Sequence, residues 1–384
     1  MSEIVLLGAG ASVDADIPTA VGMTQKMINH FEENPIPEER KVLKYIVGGL
    51  LFKAGIQGKN PLDGVNIEEV FSATELLANR NSLEILPFVG QWHPFIEELE
   101  KNRPRLRDKL STLRDISNRE DLYKMSSAID KAFQEVLESR AGETFKRTTK
   151  YMLSLLCKMV WIEDKAKLEY LFPLVNYASR KRTTIASLNY DNTIELSGHC
   201  NDINVSTGIK SWIKTGMFIK PNSGIELIKL HGSIDWELNG TKTYSNSYFP
   251  QATIKEVSDE KIKRLRDASV KTGGSRRYTP GIVFGAGNKL TAEGPFLELF
   301  RTFKLRLEES TKLISIGYSF RDKHINELIY GWLNRDKSRI ITIVTSKTAR
   351  FAADENMVKF SHETPKRCKI MNDGARKAIE SLFA

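Results

Sequence analysis

Only three cysteines occur in 384 residues, Cys157, Cys200 and Cys368, and no CxxC pair is present. A four-cysteine zinc module is therefore excluded, and a disulfide framework is disfavoured. Thiols this sparse and scattered predict a reducing cytoplasm. Long apolar runs are missing too. The most apolar later stretch, Tyr151 to Ile162, carries Lys158 and is too short to span a bilayer, so it predicts a buried helix. The first residues, Met1 to Gly8, have no basic leading segment and an apolar run of only strand length, which predicts no signal peptide. Internal repeats and low-complexity tracts are absent as well. The expectation is a soluble cytoplasmic protein.

What is present suits a packed core. Hydrophobic residues make up 41% and charged residues 27%, values that exclude global disorder. The length predicts two domains, or one large fold carrying an insertion. Formal net charge is +9, from 57 basic and 48 acidic residues, which favours an anionic partner: a nucleotide, a nucleic acid or an acidic protein surface. The densest basic stretch, Lys261 to Arg277, holds seven basic residues and one acid. It reads as a solvated loop, or else as a DNA contact or a dock for an acidic partner. No helix-turn-helix, zinc-finger or stacking motif accompanies it.

Ile4 to Leu7 is a continuous apolar run ended by Gly8, the pattern of a parallel strand buried on both faces. A small-residue loop follows, Gly8-Ala9-Gly10-Ala11-Ser12, and then helical spacing from Thr19 to Phe31. From about Asn34 to Asn176 strand-like runs disappear and helical spacing dominates, as in Leu122 to Leu137; Asn102 to Asp115 is strongly charged. Beyond it the strand–loop–helix rhythm returns, with strands predicted at Thr183–Leu188, Glu226–Leu230, Leu313–Ile316 and Arg339–Val344 and a helix at His324–Leu333. The pattern predicts an α/β fold: a Rossmann-like parallel sheet with helices on both faces, formed by residues 1–34 and 176–384 and interrupted by a helical insertion over 35–175. Asn239 to Pro280 is polar and reads as an excursion or lid.

Four polar loops follow predicted strands, where ligands bind in open α/β sheets. In Gly8 to Ser12, small residues let backbone N–H groups approach a diphosphate at a helix start; the plain alternative is a tight turn with no ligand. The dehydrogenase fingerprint is broken, because Val13 stands where its third glycine belongs. Ser187 to Asn192 offers Asn189 and Asp191 to a ligand, or a cap to the next helix. In Lys229 to Ser233, His231 can titrate near neutrality and take a proton from a ribose hydroxyl or water; it could instead be bonded into its own loop. In Gly317 to Asp322, Gly317 and Ser319 could donate to phosphate or ribose, and Ser319 or Asp322 could cap a helix. No spacing of His, Asp and Glu suggests a metal.

The series and order of these loops resembles the sirtuin, or SIR2-like, family over residues 1–34 and about 176–350. Gly8 to Ser12 is similar to its glycine-alanine-glycine-x-serine loop, and Ile17-Pro18 to its isoleucine-proline segment. Ser187 to Asp191 resembles its threonine-glutamine-asparagine-x-aspartate, His231-Gly232 its histidine-glycine, and Gly317 to Ser319 its late glycine-x-serine. The resemblance implies that Ala9, Gly10 and Ser12 hold the diphosphate and nearby ribose of NAD. It puts Asn189 by the nicotinamide ribose, Asp191 on the carboxamide, His231 as general base, and Gly317 and Ser319 along the adenosine. The chain departs from the family's protein deacylases, which carry two CxxC pairs on zinc, follow isoleucine-proline with aspartate, phenylalanine and arginine, and have glutamine where Leu188 stands. That pattern resembles the bacterial SIR2-like NAD+ hydrolases of anti-phage defence, without zinc. The implied activity is release of nicotinamide and ADP-ribose, depleting NAD in abortive infection. The implied partners are further copies of the chain and a HerA-type hexameric ATPase. The alternatives are a protein deacylase, an ADP-ribosyl transferase, or a DNA-engaging or nuclease subunit of such a complex.

Overall fold

A computed structural model describes residues 2–60, 63–80, 89, 92–100, 140–242, 251–257, 280–283, 295–346 and 354–384. Among them, seven strands form one sheet in the order β10-β9-β8-β1-β2-β4-β3. These are β1 (Glu3–Leu7), β2 (Thr184–Ser187), β3 (Val205–Ser206), β4 (Ile225–Lys229), β8 (Lys312–Ile316), β9 (Ile340–Val344) and β10 (Cys368–Met371). Every pairing in it is parallel. Helices surround the sheet, as α/β alternation predicts, and its middle strands are buried on both faces. In β1, Ile4, Val5 and Leu6 have no exposure at all. Ile4 and Leu6, with Ala186, Ile228, Leu313, Ile341 and Ile343, share a core with Phe303, Ile329 and Trp332 from the helices Phe296–Glu308 and Lys323–Arg335.

The order places a switch point beside β1. From β1 the chain moves to β2, whereas from β8, paired with β1 on its other side, it moves to β9. The chain thus leaves β1 and β8 in opposite directions, the position in the topology at which open α/β sheets bind ligands.

The helix predicted from Thr19 spans Ala20–Glu33, because Thr19 stands ahead of it and its Oγ1 accepts from Gly22 N at 3.3 Å. The buried helix predicted from Tyr151 is longer, Arg140–Val160. The stretch from Asn239, read as an excursion, contains part of a second sheet. β5 (Gly232–Lys242) pairs antiparallel with β6 (Gln251–Glu256) and β7 (Pro280–Ile282). The runs Asn102–Asp115, Leu122–Leu137 and Lys261–Arg277 lie outside the described residues.

The chain divides into two compact units. The first takes Met1–Thr24, Asn66–Glu68 and Leu153–Ala384, and holds the sheets. The second takes Gln25–Val65 and Glu69–Met152. There Val42, Leu43 and Ile46 form one buried face of the helix Pro37–Ile56, and Arg147 binds Glu38 at 2.6 Å and Glu39 at 3.1 Å. No helix among the described residues is long and apolar enough to cross a membrane.

Candidate functional site

The loops after β1 and β8 are built into each other. Gly8 N donates to Ile316 O and Gly10 N to Gly317 O, both at 2.9 Å. The chain then winds into a 3-10 turn, Ala9–Ala15, and Tyr170 Oη donates to Ala11 O at 2.6 Å. Glycine is required at the crossing. Gly317 has φ of 66°, and a Cβ there would lie 2.3 Å from Ala11 N; a Cβ on Gly10 would lie 2.8 Å from Gly317 Cα. Glycine's tolerance of the left-handed region and its missing side chain both serve this close approach. Ala9 is half-buried, and Ser319 is exposed.

Asn189 and Asp191 follow β2, on the other side of β1 from β8. Asn189 Nδ2 donates to Gly8 O at 3.0 Å and to Ser12 Oγ at 2.9 Å. A carbonyl can only accept, so the amide's orientation is forced. Its Oδ1 accepts no hydrogen bond among the described residues. Ser12 Oγ in turn donates to Asp191 Oδ2 at 2.8 Å. Asp191 Oδ1 accepts from Thr193 N at 3.2 Å and Thr193 Oγ1 at 2.6 Å. Asp191 therefore holds the first N–H of the helix Thr193–Cys200, from one position ahead of its N-cap Asn192, as well as closing the chain Asn189–Ser12–Asp191.

His231 lies just past β4 and is 3% exposed, so each ring nitrogen needs an account. Nε2 is 2.9 Å from Asp322 Oδ2. Nδ1 has no hydrogen-bond partner among the described residues, and the nearest carboxylate, Glu68 Oε1, is 3.7 Å away. Glu68 Oε1 also accepts from Tyr190 Oη at 2.7 Å. Burial, then the Glu68 charge, holds the Tyr190 phenol well above its usual range, so it stays a donor. His231 is bonded to a carboxylate side chain, not into its own loop.

Beneath the Asn189–Asp191 loop lies a buried charge cluster. Lys229, the last residue of β4, donates to Asp191 O and pairs with Glu195 Oε1 at 3.4 Å. Burial raises the Glu195 carboxyl to about 7, against the pull of Lys229. Burial raises Asp235 too, again opposed by Lys229.

The structure thus gathers Gly10, Ser12, Asn189, Asp191 and Gly317 into one bonded network, with His231 in a second that also includes Tyr190. Asp322, Glu68 and Lys229 were not singled out from sequence. Only Asp322 left a signal there, as a possible helix cap. That role is real: its Oδ1 accepts from His324 N at 3.0 Å and Ile325 N at 3.4 Å. Among the described residues no group of three His, Cys, Asp or Glu side chains could hold a metal ion.

The family model of a SIR2-like domain matches residues 183–362, a span holding Asn189, Asp191, His231, Gly317, Ser319 and Asp322. No curated protein matches the sequence. Solved Sir2 structures show a distant likeness. One of Sir2Tm bound to a propionylated peptide is 9% identical, with a TM-score of 0.39 over 99% of this chain and 91% of its own. A Sir2–p53 peptide–NAD+ structure is 11% identical, with a TM-score of 0.39 over 99% and 91%. A structure addressing the mechanism and regulation of Sir2 enzymes is 11% identical, with a TM-score of 0.40 over 100% and 91%.

Proposed function

We propose that this chain hydrolyses NAD+ at the bond between nicotinamide and ribose, releasing nicotinamide and ADP-ribose. One observation carries the reading: an asparagine with an oriented, uncommitted carbonyl, Asn189, and a buried histidine with one unpaired nitrogen, His231, stand at the C-terminal ends of neighbouring strands.

The chemistry asks little else of the protein. Nicotinamide leaves as a neutral group from a cationic glycosidic bond, so its departure needs no general acid. Positive charge builds on the ribose, and the enzyme has to hold the ring, fix a water and take its proton. Asn189 Oδ1 accepts a hydrogen bond from the water or from a ribose hydroxyl. His231 takes the proton. The loops at the switch point receive the diphosphate along Ala9, Gly10 and Ser12, with Gly317 and Ser319 on the adenosine side. The groups present fit that task. Gly10 spends its own N–H on Gly317, so its part is to leave room. Asp191 uses three acceptor positions on Ser12 and Thr193, and an ionised carboxylate has about four, which leaves one for a carboxamide N–H.

The test is incubation of the purified chain with NAD+ and chromatography of the products. Asn189→Ala and His231→Ala are each expected to lower turnover by about 10²–10⁴-fold while the protein stays folded. The family resemblance carries the wider setting: NAD depletion in anti-phage defence, by an oligomer of this chain with a HerA-type ATPase. Adding such an ATPase and DNA to the same assay tests that setting.

A further inference from the structure

A neutral imidazole has two nitrogens and one proton, and the partner of one nitrogen decides the chemistry of the other. At His231 the partners are unequal. Asp322 Oδ2 lies at hydrogen-bond distance from Nε2, 2.9 Å, whereas Glu68 Oε1 is 3.7 Å from Nδ1 and makes no hydrogen bond to it. A carboxylate oxygen only accepts, so the proton belongs on Nε2.

Asp322 is also held from every side. Its second oxygen caps the helix Lys323–Arg335. The turn before it passes through Phe320 at φ of 56°. Asn326 ties that turn down: it accepts from Tyr318 Oη at 2.7 Å and donates to Phe320 O at 2.8 Å and Asp354 Oδ2 at 2.9 Å. A residue fixed in this way can impose a proton position on a ring rather than adapt to it.

We propose that Asp322 is a positioning residue that locks His231 in the Nε2–H tautomer, so that Nδ1 is the base, and that Nδ1 and Glu68 Oε1 together seat the water it deprotonates. The separation of 3.7 Å suits one water, whose oxygen can stand at hydrogen-bond distance from both atoms and give a proton to each. In the step, one O–H bond of that water breaks and its proton passes to Nδ1. The water oxygen bonds to the ribose C1′ as the bond from C1′ to the nicotinamide nitrogen breaks, and that electron pair leaves with nicotinamide. The resulting imidazolium has Asp322 on one nitrogen and Glu68 facing the other. The water step rests on the proposed NAD+ hydrolysis; the tautomer does not.

Asp322→Asn separates the two. Asparagine keeps an oxygen for the helix cap and turns an amide N–H₂ toward Nε2, so the ring must accept there and carry its proton on Nδ1. The experiment records nitrogen-15 spectra of the histidine-labelled full chain at about pH 8. His231→Ala identifies the His231 signals among the six histidines. The expected result is a proton on Nε2 in the wild type and on Nδ1 in Asp322→Asn. A proton on Nδ1 in the wild type, as the other tautomer or as an imidazolium, overturns the proposal even if the variant fails to fold. Kinetically, Asp322→Asn is expected to lower kcat by about 10³–10⁴-fold with KM for NAD+ little changed, the signature of a wrong tautomer in an intact site. Glu68→Gln is expected to lower kcat with the tautomer unchanged; unaltered kcat there removes Glu68 from the water site. If the wild type leaves NAD+ intact, the hydrolase reading fails while the spectra still decide the tautomer.

Discussion

Lys229 gives its ammonium to the main-chain carbonyl of Asp191, from a position 1% exposed to solvent. The end of β4 thereby supports the loop that follows β2, the loop that aims Asn189. Two buried acids, Glu195 and Asp235, sit within reach of the same charge. The two acids come from the elements that flank the site, Glu195 from the helix Thr193–Cys200 and Asp235 from β5.

Lys229→Met removes that cation and leaves Asp191 O and the two acids without it. Breaking a buried pair from one side typically costs about 3–5 kcal/mol. Urea unfolding is expected to show a loss of that order. A variant as stable as the wild type would mean that Lys229 does not hold the loop.

Glu195→Gln makes a pH-dependent prediction. The Glu195 carboxyl is raised from an ordinary 4.5 to about 7 by burial. Between those values the folded chain binds more protons at this group than the unfolded chain does. Its contribution to stability is therefore present at low pH and lost as pH rises through the folded value. Glutamine does not titrate. The difference in unfolding free energy, Glu195→Gln minus wild type, is expected to rise from about pH 5 to about pH 8 by on the order of 2–3 kcal/mol in urea unfolding. A flat difference would mean that Glu195 ionises normally in the fold.

Gly317→Ala tests the crossing of the two loops. The residue is in the left-handed region, and the new methyl would sit 2.3 Å from Ala11 N and 2.4 Å from Gly10 C, both rigid backbone atoms. Gly216 is also left-handed, at φ of 72°, but nothing lies within 4 Å of a Cβ there. Gly216→Ala is expected to cost about 1–2 kcal/mol, the conformational term alone. Gly317→Ala is expected to cost clearly more in the same thermal unfolding assay, and equal losses would contradict the close approach.

Ser12→Ala removes the hydroxyl between Asn189 and Asp191. Asp191 Oδ2 then loses its donor, and Asn189 keeps only the Gly8 carbonyl as an acceptor. The stability loss is expected at about 1–3 kcal/mol, the range for a buried group stripped of its partner. Turnover is expected to fall with it, because the Asn189 amide is held at one point instead of two. Unchanged stability would place the hydroxyl outside the network.

Sequence pattern reveals the parallel sheet because its strands are short, continuous apolar runs, each ended by a polar or glycine loop. Ile4–Leu7 and Leu313–Ile316 need no distant partner to be recognised. The antiparallel sheet β5–β7 is a different case. Trp236 pairs with Glu256 and Gly232 with Ile282, so the strands are defined by their partners and not by local pattern. The same holds within the site. Asn189 and His231 stand out because each follows a strand. Asp322 is 91 residues from His231, and Glu68 is 122 residues from Tyr190, so no local spacing links them. Lys229 is 38 residues from the Asp191 carbonyl that it supports, so its role has no local mark either.

Hydrolysis of NAD+ at Asn189 and His231 can be followed by reaction in oxygen-18-labelled water with mass analysis of the products. The wild type is expected to release nicotinamide together with ADP-ribose carrying one labelled oxygen at the ribose anomeric carbon, and Asn189→Ala and His231→Ala to do so at only a small fraction of that rate. Nicotinamide release that requires an acyl-lysine peptide, or equal turnover by all three proteins, would contradict it.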